Sequence, residues 1–266
     1  MNTQISDSEF GNFQRFIFEA AGITLSPSKK ALVCGRLSKR IRARKMASYT
    51  EYFALLKSNQ EPVEVQTAID LLTTNETYFF REPKHFDWLR QAASQHAGPS
   101  PFRVWSAASS SGEEAYSIAM VLAECRGEQA FEVVGTDIST RMLAKARTGH
   151  YPEQRARQIP THYLKQFCLK GQREQAGTLL VARELRQKAR FVQANLNDKL
   201  PDLGSFHVIF LRNVMIYFNG DTKRQVVARV LSLLKPGGHL YIGHSESLHG
   251  ISTAAVQVAP SVYRKP

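Results

Sequence analysis

The sequence predicts a mixed α/β fold: a Rossmann-like domain with a small inserted β-subdomain, preceded by an all-α N-terminal domain. Three observations carry this. Residues 102–120, FRVWSAASSSGEEAYSIAM, pass from a short apolar run through a loop of small residues into a helical pattern. Beyond Pro99 and Pro101, short apolar runs alternate with helical periods, as strands joined by crossover helices do. Ahead of that point only helical spacing is found.

Composition bounds the rest. At 266 residues, 43% hydrophobic and 22% charged, the chain has room for one large or two modest cores. No apolar run approaches a membrane span and the start MNTQISDSEF has no signal-peptide core, so a cytoplasmic protein without membrane insertion is expected. Cys34, Cys125 and Cys168 lie far apart, which speaks against a disulfide framework or a zinc site. The formal charge of +12 points to an acidic partner, either nucleic acid or an acidic protein surface.

In chain order, Phe10, Phe13, Phe16, Ile17 and Ala20 recur at helical spacing and Gly22 ends the run. Ser26 and Pro27 suit the start of a second helix reaching about Met46. Ser48 and Glu51 have capping-box spacing for a third through Leu56, and Pro62 opens a fourth through Leu72. Residues 1–72 thus form the helical domain. In its second helix Leu37 and Ile41 mark the buried side, while Arg36, Lys39, Arg40 and Arg44 share a neighbouring face. Residues 39–45 read KRIRARK, with no acid from Lys29 to Thr50, a density of unpaired charge that suggests a docking surface for something acidic. A plain solvated face fits the same residues.

Residues 73–100 form a linker, TTNETYFFREPKHF, followed by a helix that Pro83 begins. Arg81 either is salt-bridged within a packed hinge or reaches a ligand carboxylate; spacing does not choose. The loop at 106–112 contains almost nothing larger than serine, so a ligand can lie against its backbone. Glu113 and Glu114 occupy the helix N-terminus where a phosphate would otherwise sit, and they would repel one. A nucleoside ligand with a cationic group and no pyrophosphate fits, and S-adenosylmethionine is the common ligand of that description. An ordinary strand-to-helix turn would also account for the loop. The next strand, 131–136, ends at Asp137, where a doubly wound fold holds ribose hydroxyls; Asp137 or Ser139 as a helix cap explains the same residues. Runs at 178–182 and 190–193 read as a small β excursion at about 168–192. In FHVIFLRNVMIYF, residues 206–218, a buried strand delivers Arg212, Asn213 and Tyr217 to the ligand edge. His244, Ser245 and Glu246 follow the last parallel strand, but adjacent residues cannot converge as a catalytic triad. A closing antiparallel pair spans 255–258 and 262–264.

Together these strings, TTNETYFFRE at 73, VWSAASSSGEEAYSIAM at 104, TDIS at 136, ANL at 194, FLRNVMIYF at 210, LLKPGGHLYIGHSE at 233 and SVYR at 261, resemble the chemotaxis receptor methyltransferases, the CheR family, over nearly the whole chain. The resemblance implies transfer of methyl from S-adenosylmethionine to glutamate side chains of membrane chemoreceptors, leaving glutamate methyl esters and S-adenosylhomocysteine. It implies cofactor contacts from Asn75, Thr77, Arg81, Glu113, Asp137, Asn195, Leu196, Arg212 and Asn213. The basic helix, through Arg36, Lys39 and Arg40, would meet the acidic methylation helix, with Tyr217 on the acceptor side. The β excursion would correspond to a subdomain that grips a receptor C-terminal peptide in some members. Gly112 is the only glycine in the loop, fewer than methyltransferases generally carry. No catalytic base and no metal are implied. A nucleic-acid methyltransferase would be expected to show an Asn/Asp-Pro-Pro-aromatic motif where RNVMIYF stands, and a nicotinamide enzyme a GxGxxG loop; neither is present. A non-catalytic receptor adaptor could use the same basic helix.

Overall fold

A computed structural model describes residues 4–58, 60–96, 98–127 and 130–266. The helical domain holds α1 (Asp7–Ala21), α2 (Lys30–Ala43), α3 (Tyr49–Ser58) and α4 (Pro62–Leu72) around Phe13, Ile17, Leu37, Tyr52 and Leu56. Ser6 and Glu9 close a reciprocal cap on α1, and Gly22, at φ 70°, ends it. Two details differ from the spacing. Pro27–Lys29 forms a single 3-10 turn, because the Ser26 hydroxyl bonds Ser28 rather than capping a helix, so α2 starts only at Lys30. It also ends earlier, at Ala43.

The linker leads into α5 (Lys84–Ser94), then β1 (Phe102–Ser106), α6 (Glu113–Arg126), β2 (Phe131–Asp137), α7 (Thr140–Thr148), β3 (His150–Pro152) and α8 (Thr161–Phe167). There follow β4 (Cys168–Lys170), β5 (Thr178–Val181), α9 (Arg183–Lys188), β6 (Ala189–Gln193), β7 (Phe206–Leu211), α10 (Gly220–Ser232), β8 (Leu234–Ile242), β9 (Val256–Ala259) and β10 (Val262–Arg264). The main sheet has the order β6-β2-β1-β7-β8-β10-β9, parallel from β6 to β8 and antiparallel at β10 and β9. One face packs on α5 and α6 through Phe86, Val104, Ile118 and Phe210; the other packs on α10 through Trp105, Ile209, Val227 and Val230. From β1 the chain winds outward to β2 and β6, then returns to lay β7 on the other side of β1. The order reverses between β1 and β7, which opens a crevice at the carboxyl edge of the sheet.

The β excursion is divided differently from its reading in sequence. The run at 190–193 lies within β6 and pairs in parallel with β2 at the edge of the main sheet. The small antiparallel sheet is β3-β5-β4, with its first strand already at His150. Two short apolar runs near each other in sequence look alike whether they pair with one another or with different sheets.

The helical domain is docked closely. Asp70, at the end of α4, accepts hydrogen bonds from Thr140 N and Arg141 N and so caps α7 from another domain. Asn195 Nδ2 donates to Ala20 O at 2.8 Å, and Ile23 bridges Phe218. No helix among the described residues is long and apolar enough to cross a membrane.

Candidate cofactor and acceptor cleft

The crevice is an open cleft of about 860 Å³, counted out to its mouth. Its floor is the loop after β1. Ser109 N donates to Thr136 O, and Gly112 N to Ser109 O, which folds the loop tightly onto β2. Gly112 sits at φ 96°, and a Cβ there would lie 2.9 Å from Ala146 Cβ and 3.0 Å from the Tyr151 hydroxyl, so the position has no room for a side chain.

Asp137 organises this floor. Its Oδ2 accepts from Ser110 N and its Oδ1 from Ser139 N, both at 2.8 Å. The helix cap is Ser139, whose Oγ accepts from Met142 N, while the Asp137 carboxylate ties two loops together and lines the cleft. Burial, with Asp70 nearby, pushes its carboxyl up to about 6 even though the two amides act to lower it.

Of the nine residues assigned to the cofactor by resemblance, eight line the cleft: Asn75, Thr77, Arg81, Asp137, Asn195, Leu196, Arg212 and Asn213. Glu113 is the exception. It is fully buried beneath the loop, where it accepts from Ser111 Oγ and pairs with Arg155 at 3.3 Å; its neighbour Glu114 faces the cleft instead. Glu114 accepts from Ser106 Oγ at 2.7 Å and pairs with Arg212 at 2.9 Å. Arg81 is half-buried above the Tyr78 ring and donates to Glu76 O, and among the described residues it forms no ion pair. The hinge reading, in which Glu82 would hold it, is not what forms: Glu82 pairs with Arg212 at 3.2 Å.

Arg212 is buried between Glu82 and Glu114. Asn213, at φ 55°, donates through Nδ2 to Glu82 Oε1. The turn that follows is held by Glu246, whose carboxylate accepts from Gly243 N, Asn213 N and Ile216 N. This explains the acid of the His244, Ser245 and Glu246 string: it splints the loop carrying Tyr217, which also lines the cleft. Spacing assigns no such role to Glu82 or Glu246, which act through Arg212 and Asn213, 130 and 131 positions from Glu82, or through backbone amides; Glu114 reads only as one of two acids at a helix start, because its partner Arg212 lies 98 positions away.

The basic helix is less free than its sequence suggests. Arg40 forms a two-pronged pair with Glu64, which is 2% exposed and also accepts from Tyr52; Arg44 pairs with Glu61. Arg36 donates to Leu71 O and Thr73 O, buttressing the linker at the cleft wall, close enough to Tyr217 to interact with it electrostatically. The acids come from the start of α4 and the residue just before it, outside the acid-free window. Among the described residues Lys39 is exposed and has no ion pair.

A parallel sheet with an antiparallel last pair, a small-residue loop at its order reversal and an acid at the tip of the neighbouring strand defines the Rossmann-like methyltransferase class. Comparison with known families makes it specific. The description "CheR methyltransferase, SAM binding domain" matches residues 75–263 and "CheR methyltransferase, all-alpha domain" matches 8–73; the chain belongs to the CheR family of S-adenosylmethionine-binding methyltransferases. It is similar to chemotaxis protein methyltransferase 2 of Pseudomonas aeruginosa, 40% identical over 262 residues, with 96% of this chain and 92% of the relative covered. The chemotaxis protein methyltransferase of Escherichia coli strain K12 is 38% identical over 262 residues, covering 97% and 91%. That of Borreliella burgdorferi is 35% identical over 281 residues, covering 100% and 96%.

Proposed function

We propose that the protein methylates glutamate side chains of membrane chemoreceptors, using S-adenosylmethionine and releasing S-adenosylhomocysteine, and so serves sensory adaptation from the cytoplasm. The observation that carries the cofactor assignment is Asp137: a buried carboxylate with both oxygens fixed by amides and lone pairs left for hydroxyl donors suits a ribose. Glu114 supplies the negative charge that a cationic amino-acid moiety needs, and Arg81 is free to meet a carboxylate in bidentate fashion. S-adenosylmethionine, when bound, supplies a methyl group already activated by positive charge on sulfur.

The remaining task falls to positioning. An acceptor glutamate is an anion at neutral pH, so no general base is needed; alignment and water exclusion suffice. Ala21, Ile23 and Phe218 give the cleft an apolar wall, and Tyr217 and Asn213 shape the acceptor side. Lys39 offers an exposed positive charge for steering an acidic helix, while Arg36 and Arg40 contribute by holding α2 and the linker in place. The exposed edge strand β4, with Leu169 60% exposed, suits strand addition by an extended receptor tail.

Incubation with methyl-labelled donor and receptor-containing membranes tests the reading. Base-labile label, as expected of a glutamyl ester, should appear on receptors and not on nucleic acid added in parallel. Label on nucleic acid, or none on any receptor preparation, would overturn it.

A further inference from the structure

Beside the cleft, on the far side of Arg212, one group of three metal-ligating side chains comes together among the described residues: Glu82, His85 and His244. Glu82 Oε2 lies 3.5 Å from His85 Nδ1 and 3.9 Å from His244 Nε2, and the three donor atoms all fall within 4.8 Å of one another. Ligand atoms about 2.0–2.1 Å from a tetrahedral zinc ion stand roughly 3.4 Å apart, so modest side-chain adjustment would close the set.

The contacts around His85 fix its ring. His85 is 1% exposed, and its Nε2 lies 2.8 Å from Ser261 Oγ. Ser261 Oγ also lies 2.7 Å from Pro260 O, and with its hydroxyl proton directed there the ring donates from Nε2 to Ser261. Nδ1 is then a bare lone pair, and it has no hydrogen-bond partner. The carboxylate it faces is held in place, accepting from His244 N and Asn213 Nδ2 and pairing with Arg212. His85 Nδ1 thus faces a fixed Glu82 carboxylate oxygen at 3.5 Å. Donation of the other ring N–H to a fixed acceptor is how proteins orient a metal-binding histidine.

We propose that Glu82, His85 and His244 bind one divalent ion of borderline softness, Zn²⁺ foremost. Two imidazoles and one carboxylate are a common zinc ligand set. The His244 side chain is 51% exposed, which leaves a way in and a side open to water. The ion would clamp the linker, through Glu82 and His85, to the loop after β8.

The test uses full-length, tag-free protein stripped with a chelator and titrated with Zn²⁺ against a chromophoric indicator. One equivalent should bind, Co²⁺ should give the visible absorption of a four-coordinate site, and millimolar Mg²⁺ should not compete. His244→Ala, at a half-exposed position, should weaken Zn²⁺ by at least about tenfold and abolish the Co²⁺ band. His244→Gln and Glu82→Gln should do the same, so a variant that fails to fold does not decide the outcome. Unchanged Zn²⁺ affinity in folded His244 variants, or no stoichiometric binding by the parent, would overturn the proposal.

Discussion

Replacing Asp137 by asparagine probes the cleft most directly. Each carboxylate oxygen accepts one backbone N–H and has a further lone pair for a donor in the cleft. Asparagine keeps a single oxygen, and whichever way the amide turns, its NH2 confronts Ser110 N or Ser139 N. One buried donor is left unsatisfied, at about 1–3 kcal/mol, and one acceptor for a ribose hydroxyl is lost, worth about 1.5–3 kcal/mol where the acceptor is charged. The first loss weighs on the free protein and the complex alike, so affinity reports mainly the second. Calorimetric titration with S-adenosylhomocysteine at neutral pH should show about a 10- to 100-fold weaker complex. Accepting hydroxyl donors favours the ionised carboxyl, so parent affinity should be level above pH 7 and fall by about tenfold per unit below about 6, a dependence the variant lacks. Stability of the free protein runs the other way. With the folded carboxyl at about 6 against an ordinary 3.8, its contribution is complete below pH 3.8 and is lost as pH rises through about 6. An asparagine variant that binds within twofold of the parent and keeps its pH profile would refute the assignment of Asp137 to the ligand.

Arg212→Ala leaves Glu82 and Glu114 facing each other inside the protein and should lower unfolding free energy by about 3–5 kcal/mol, measured by urea denaturation at neutral pH. Arg40→Ala leaves the buried Glu64 with Tyr52 and the more distant Arg44 and should destabilise the fold by about 1–3 kcal/mol in the same assay, whereas Lys39→Ala should leave stability within about 0.5 kcal/mol. Lys39→Ala should instead slow receptor methylation most at low ionic strength, where steering by an exposed charge is strongest. Gly112→Ala introduces a side chain at φ 96° against Ala146 and Tyr151; it should cost at least about 1 kcal/mol of stability, measured by thermal melting, and weaken S-adenosylhomocysteine binding in the same calorimeter.

Where sequence chemistry is local, it reads through to the structure. Pro62 and Leu72 bound α4 as spacing predicts, because proline at a helix start and an uninterrupted apolar period act within one element. Asp137 and the loop before it are legible for the same reason. What spacing misses is pairing across the chain. KRIRARK looks unneutralised because its acids, Glu61 and Glu64, stand at the start of the next helix but one. Which of Glu113 and Glu114 enters the cleft depends on how Gly112 rotates the start of α6, a backbone angle that two adjacent identical residues do not reveal. The strand β6 is too short to announce which sheet it joins.

The two matched family segments meet at residues 73 and 75, and Thr73, Thr74 and Asn75 all line the cleft. The boundary between the two matched segments therefore passes through the cleft wall instead of between two self-sufficient modules. Chimeras that join the helical half of one relative to the catalytic half of another would have to preserve the Asp70 to Thr140 and Asn195 to Ala20 latches, or the grafted wall would not close on its ligand.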